Sequence, residues 1–223
     1  SRGLGDVYKR QALIGAIIYA FCSFSLTAGL RHPYFLNPLI FFPLLLWGID
    51  KLLDEDRKIP LTILVAITAI ANYYFFYMLT ILTFIYAIIR YICEYRKEGI
   101  KHFFKKLGGA VLCYMIGILI AGIILLPTAY AFLNSPRSGE EITIQYGMKY
   151  YRNLFTVNLL TSYDANWSMI GVSSIILLML PILWSRRKKY PVYFTYWIVT
   201  TILLLIPFAG SALNGCLLYT SDA

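Results

Sequence analysis

Long apolar runs separated by short polar stretches organise this chain. The runs cover residues 12–28, 36–52, 60–92, 107–126, 168–184 and 192–209. About 20 apolar residues cross the ~30 Å hydrocarbon core of a bilayer as a helix, so each run reads as membrane-embedded. The run from 60 to 92 is too long for one ordinary crossing and rather short for two. It is read as a tight hairpin, 60–71 and 73–92, turning near Asn72-Tyr73-Tyr74. Its short first arm is expected to be buried among neighbours, where irregular backbone at membrane depth is tolerated. The pattern predicts an all-α, polytopic transmembrane helical bundle of about seven membrane segments including that short hairpin.

Charge orients the bundle. Lys51, Arg57 and Lys58 lie in loop 51–58; Arg96, Lys97, Lys101, Lys105 and Lys106 lie in loop 93–106, just after Arg90. Short basic loops stay on the cytoplasmic side, so an even number of crossings must separate these two. A hairpin supplies that number; a single long kinked helix would put the loops on opposite sides. The third cluster, Arg186-Arg187-Lys188-Lys189 in loop 185–190, agrees with the same orientation. Loop 127–167 and the turn at Gly29–Phe35 then fall outside. This predicts a multi-pass membrane protein with loops 51–58, 93–106 and 185–190 on the cytoplasmic side. The basic residues are split among membrane-flanking loops, so they read as orientation signals in contact with membrane lipid, and nucleic-acid binding has no support.

Composition agrees, with 59% hydrophobic and 14% charged residues, well below the ~25% charged of a soluble domain. The frequent Tyr and Phe suit a membrane–water boundary. Two end segments stand apart. Residues 1–11 (SRGLGDVYKRQ) and 215–223 (with CLLYTSDA at Cys216–Ala223) look like translated sequencing-adapter read-through. They are expected not to continue a helical pattern, leaving 12–214 as the transmembrane domain fragment and the native ends missing. Without them the net charge falls only from +9 to +8. Cys22, Cys93 and Cys113 show no metal-ligand spacing and read as small hydrophobes.

Candidate chemistry is sparse. Nucleotide-, zinc- and nucleophile-elbow motifs are absent. No cofactor is evident, although a divalent metal in the complete protein is left open. Leu125-Leu126-Pro127-Thr128 is expected to end a helix at the proline. A short interfacial helix around Tyr146–Phe155 is expected within the outer loop. Arg31-His32-Pro33-Tyr34-Phe35 gathers a cation, an imidazole and two rings at the outer interface. Its simplest use is as an aromatic-belt anchor with a snorkelling arginine; its sharper use is as a phosphate-headgroup site, where a guanidinium donates in a planar fork. Asn72 serves most simply as a turn residue or helix cap, and otherwise as a hydrogen-bonding group for a sugar or lipid phosphate. The outer charges Arg137, Glu140, Glu141, Arg152 and Asp164 read mainly as solvated.

Several segments in order resemble the bacterial YfhO membrane proteins. They are Ser23-Phe24-Ser25, Arg31 through Pro38, Pro43 through Ile49, Asn72 through Met78, Ile85-Tyr86 with Arg90-Tyr91, Leu126-Pro127-Thr128, and Ser135-Pro136-Arg137. The resemblance covers most of residues 16–140. It implies a membrane domain similar to the GT-C glycosyltransferases, which take a sugar from a polyprenyl-phosphate carrier at the outer membrane face. It also implies a cell-envelope polymer acceptor such as lipoteichoic acid. Such enzymes place a catalytic Asp or Glu in the first outer loop, which would lie upstream of this chain. The catalytic residue is therefore unknown, and Asp6, inside the suspected adapter, is not assigned that role.

On the same resemblance, Arg31 and Arg137 are expected to contact phosphate, and His32 and Asn72 to position substrate. Two other readings remain open at this point. A transporter or flippase of a lipid-linked substrate would carry charges buried mid-span, which are scarce here. A non-catalytic scaffold for envelope polymer assembly needs no site at all.

Overall fold

The computed structural model describes residues 2–22, 25, 33–134 and 174–207. All regular structure among them is helical. Among the described residues seven α-helices have defined ranges: α1 (Arg2–Ala20), α2 (Asn37–Glu55), α3 (Ile59–Ala71), α4 (Tyr73–Arg90), α5 (Ile100–Leu133), α6 (Ser174–Ser185) and α7 (Pro191–Leu205). Two stretches, Phe75–Glu98 and Ile100–Thr128, are long and apolar enough to cross a membrane. Ile59–Ala71 and Pro191–Leu205 are apolar but shorter.

Two prolines start their helices. Pro60 and Pro191 sit in the first turn of α3 and α7, where a missing N–H is not needed and the fixed φ suits the helix. The chain leaves α2 through Asp56, whose φ of 54° is left-handed; Asp tolerates that region better than most residues. One residue separates α3 from α4. Asn72 is extended (φ −163°, ψ 103°), its N–H donates to the Thr68 carbonyl, and its Oδ1 accepts from the Phe75 N–H at 3.3 Å. The side chain thus caps α4 while the backbone closes α3.

The core lies among α2, α3, α4 and α5, with one residue from α7. Leu45, Ile49, Leu52 and Leu53 meet Leu61 and Val65, Tyr86 and Ile89, Ala110 and Cys113, and Val192. In lipid, helices gain nothing from hiding apolar surface that lipid already solvates, so close packing over small residues matters more. Gly48 and Gly117 provide it. A Cβ on Gly48 would lie 3.2 Å from the Leu61 Cα, and one on Gly117 would lie 2.6 Å from the Val65 Cγ1. Asn37 lies as many residues before Gly48 as Asn72 lies after Leu61. The contact between Gly48 and Leu61 therefore places the start of α2 level with the end of α3.

The expected hairpin at Asn72 is present. Tyr86 and Arg90, at the end of α4, bond Asp50 near the end of α2, and the Cys113 Sγ on α5 lies 3.6 Å from the Lys58 carbonyl before α3. The chain runs away from the 51–58 loop through α3 and returns to it through α4. Val192 at the start of α7 is buried in the same core, so all three basic loops gather at one end.

Several expected bounds shift. The stretch before Ala12, expected not to continue a helix, does continue one, because α1 begins at Arg2. Lys9, Arg10 and Gln11 are good helix formers that prolong the apolar run. Loop 51–58 shrinks, since α2 reaches Glu55. Loop 93–106 likewise narrows to a π-helical turn at Tyr91–Tyr95, a 3-10 turn at Arg96–Glu98, and Gly99 at φ 83°. From Ile100 the chain is already α5, with Lys101 and Lys105 exposed beside Phe103 and Phe104. Pro127, expected to end a helix, lies inside α5, which runs on to Leu133. The Thr128 hydroxyl donates to the Ile124 carbonyl at 2.8 Å; the carbonyl that Pro127 deprives of an N–H partner is that of Ile123, a loss that membrane helices tolerate. The expected interfacial helix in the outer loop lies outside the described residues.

Candidate functional site

Polar chemistry concentrates at the two ends of the bundle. At the basic end, Asp50 and Asp54 share one face of α2, and Arg90 and Glu94 share one face at the end of α4, each pair at the i, i+4 spacing of helical neighbours. Packing brings the faces together. The Arg90 guanidinium donates to Asp50, bonds Asp54 through Nη2 at 3.0 and 3.1 Å, and reaches Glu94 through Nε at 3.0 Å. Tyr86 donates to Asp50 at 2.9 Å and Tyr95 donates to Asp54. The Arg90 side chain is 13% exposed. One guanidinium shared by three carboxylates uses the rigid fork that lysine lacks.

Two further contacts tie the same end. Lys106 on α5 donates to the Leu52 carbonyl and to Asp56, both at 3.0 Å. The bond from Lys106, and then its charge, holds the Asp56 carboxyl below its usual value. Glu55 is lowered chiefly by its bond from Lys51. The Tyr91 hydroxyl lies 3.1 Å from the Gly99 carbonyl and 3.0 Å from His102 Nδ1, with the Tyr91 and His102 rings stacked at 5.7 Å. The π-helical turn inserts one extra residue per turn and so re-aims Tyr91 and Tyr95. This assembly joins α2, α4 and α5. Among the described residues, no group of three or more His, Cys, Asp or Glu side chains is placed to hold a metal.

The opposite end carries a cavity of about 220 Å³. It is lined by Ala69, Ile70, Ala71, Asn72 and Tyr73 at the hairpin tip and by Ile124, Leu125 and Thr128 on α5. Of the four residues expected to bind substrate, Asn72 lies here, with its carboxamide oxygen capping α4. Arg31, His32 and Arg137 lie outside the described residues. Pro33 and Asn134, the described residues next to them in the chain, belong to the segments that lead into α2 and out of α5 at this same end.

Sequence reasoning missed the Arg90 assembly, taking Arg90 only as a flank of a basic loop. The paired spacings of Asp50 with Asp54 and Arg90 with Glu94 were the available signal. Nothing in the order of residues said that the two faces meet. Thr128 was likewise passed over as the residue after a helix-ending proline.

Comparison with known proteins places the chain among membrane proteins. The family model described as "Bacterial membrane protein YfhO" matches residues 6–216. A curated relative, "Uncharacterized protein YfhO" of Bacillus subtilis (strain 168), is 21% identical over 208 residues. The match covers 93% of this chain and 23% of the relative, so the chain spans about a quarter of that protein's length. No solved structure matches. With nearly its whole length matched by one family model, the chain belongs to the bacterial YfhO family of membrane proteins.

Proposed function

We propose that this chain is part of the membrane domain of a GT-C-like glycosyltransferase. It moves a sugar from a polyprenyl-phosphate carrier to a cell-envelope acceptor, such as lipoteichoic acid, at the outer face of the cytoplasmic membrane. The observation that carries the reading is family membership over residues 6–216. The fold is compatible with it. Three basic loops at one end suit a cytoplasmic face, and the opposite end, with the Asn72 cavity, then looks outward.

The division of labour follows from charge. A carboxylate outside this chain activates the acceptor hydroxyl, and cations at the outer end, Arg31 and Arg137, stabilise the departing lipid phosphate. His32 and Asn72 position the substrate. Transport is less well supported, because among the described residues the charged side chains of α2, α4 and α5 cluster at the basic end rather than lining mid-span.

The test uses the complete protein in proteoliposomes with a radiolabelled polyprenyl-phosphate sugar and a lipoteichoic acid acceptor. Arg137→Ala is expected to lower transfer roughly 10- to 100-fold, the loss of one charge-assisted hydrogen bond, with insertion unchanged. Unchanged transfer removes Arg137 from the site. No transfer by the wild-type protein rejects the enzyme reading.

A further inference from the structure

The three basic loops are not equivalent. Residues 50–58 and 90–106 hold nine lysines and arginines together with six carboxylates. There Lys51 and Arg57 pair with Glu55, Lys106 pairs with Asp56, and Arg90 pairs with Asp50, Asp54 and Glu94. The described segment 174–207 carries Arg186, Arg187, Lys188 and Lys189 and contains no Asp or Glu. All four cations are exposed. None is paired with a carboxylate among the described residues. Their charge is left for an anion outside the chain.

The turn between α6 and α7 holds these cations in a defined order. The Arg187 N–H donates to the Trp184 carbonyl at 3.3 Å, and the Lys189 and Tyr190 N–H groups donate to the Arg186 carbonyl at 2.9 and 3.1 Å. Arg187 Nη1 also donates to the Trp184 carbonyl at 3.1 Å, and its guanidinium lies 5.5 Å from the Trp184 ring centroid. The Lys189 ammonium lies 5.4 Å from the Tyr190 ring centroid. Two of the four cations are thus held on rings. The Arg186 guanidinium and the Lys188 ammonium are the two not so held, and a guanidinium fork matches phosphate oxygens.

The rings indicate which anion. Trp184, Tyr190 and Tyr193 are 57%, 40% and 59% exposed, and the Trp184 ring stands edge-on to Phe194 at 5.5 Å. Exposed Trp and Tyr beside an apolar helix sit at the headgroup level of a bilayer. Four or more cations just cytoplasmic of a membrane helix attract anionic lipid. A soluble acidic partner would use the charges and leave these rings without a role.

We propose that the turn between α6 and α7 binds an anionic phospholipid of the inner leaflet, with Arg186 and Lys188 on its phosphate and Trp184 and Tyr193 beside its upper acyl chains. The site lies at the opposite end of the bundle from the proposed sugar transfer and does not depend on it.

The experiment uses the complete protein in phosphatidylcholine nanodiscs, where both faces are open to the solution. Ser185→Cys, in a background without other reactive thiols, carries a bimane fluorophore. The quencher is phosphatidylglycerol or phosphatidylcholine spin-labelled near the top of one acyl chain. Phosphatidylglycerol is expected to quench at a mole fraction about tenfold lower than phosphatidylcholine does. Arg186→Gln with Lys188→Gln should remove most of that preference, each lost cation lowering association roughly fivefold. Lys97→Gln with Lys101→Gln, which removes the same charge from another loop, should leave it unchanged. Equal quenching by the two lipids overturns the site and leaves the turn to a soluble acidic partner or to orientation alone. A preference that survives the Arg186 and Lys188 changes, or falls equally with those at Lys97 and Lys101, also overturns it. Loss of the preference on adding millimolar pyrophosphate would assign the cations to a soluble phosphate instead.

Discussion

Gly117 is where the fold has least room, and Gly117→Ala tests that directly. The added methyl would sit 2.6 Å from Val65 Cγ1, 2.8 Å from Val65 Cβ and 3.0 Å from the Thr62 carbonyl oxygen. Carbon–carbon contacts settle near 3.5–4.0 Å, so α3 and α5 must part by about 1 Å. Val65 cannot step aside, since it is fully buried and a β-branched side chain in a helix has essentially one rotamer. Moving α3 bodily disturbs its other glycine contact, where Leu61 meets Gly48.

Overpacking of this kind costs about 1–3 kcal/mol. Alanine returns up to ~1 kcal/mol of helix propensity, which leaves a net loss of roughly 1–2 kcal/mol. Gly122→Ala is the internal control, because its methyl would meet nothing within 4 Å. The probe is Cys113, one turn before Gly117 on α5 and 1% exposed. In the complete protein in nanodiscs, with Cys113 as the remaining thiol, a permeant maleimide reports each opening of the interface. A loss of 1–2 kcal/mol makes labelling about 5- to 30-fold faster in Gly117→Ala. Gly122→Ala should label at or below the wild-type rate. Equal rates in the two variants would refute the close approach of α3 to α5.

Three other predictions are independent of it. Arg90→Ala leaves Asp50, Asp54 and Glu94 facing one another and should cost about 2 kcal/mol, below the value for a fully buried pair because the carboxylates are partly exposed. Arg90→Lys should recover only part of this in thermal unfolding, and a neutral Arg90→Ala would show the assembly to be passive. The Asp56 carboxyl is lowered from 3.8 in the folded state by Lys106. Its stabilisation is therefore fully present above pH ~4 and is lost as pH falls through the lowered value. Melting followed from pH 6 to 3 should be less acid-sensitive in Asp56→Asn, and identical profiles would remove the contact from the account. Cysteines introduced at Lys97 and Lys188 should be labelled only from the cytoplasmic side, and one at Asn134 only from outside; any exchange of sides would overturn the orientation.

Much of the helical pattern was legible in the order of residues. The α2 run, the break at Asn72 and the turn after Ser185 followed from apolar length and from the cost of charge in lipid. Helix ends were less legible. Pro127 reads as a stop, yet α5 runs on six residues beyond it to Leu133. The stretch before Ala12 reads as foreign, yet it forms one continuous helix with the apolar residues up to Ala20.

Hydropathy and charge along the chain determined that this is a helical membrane protein, because transfer into lipid is a property of each segment by itself. The hairpin could also be inferred, since two basic loops must share a side. Only the tertiary structure decided which faces touch. Asp50 and Arg90 are 40 positions apart, and Thr128 and Asn72 are further apart still. The first pairing needs α4 to pack beside α2, and the second needs α5 to close on α3, where Gly117 leaves room for Val65. That closeness comes from interlocking shapes on separate helices, and the residue pattern along any one helix leaves it open.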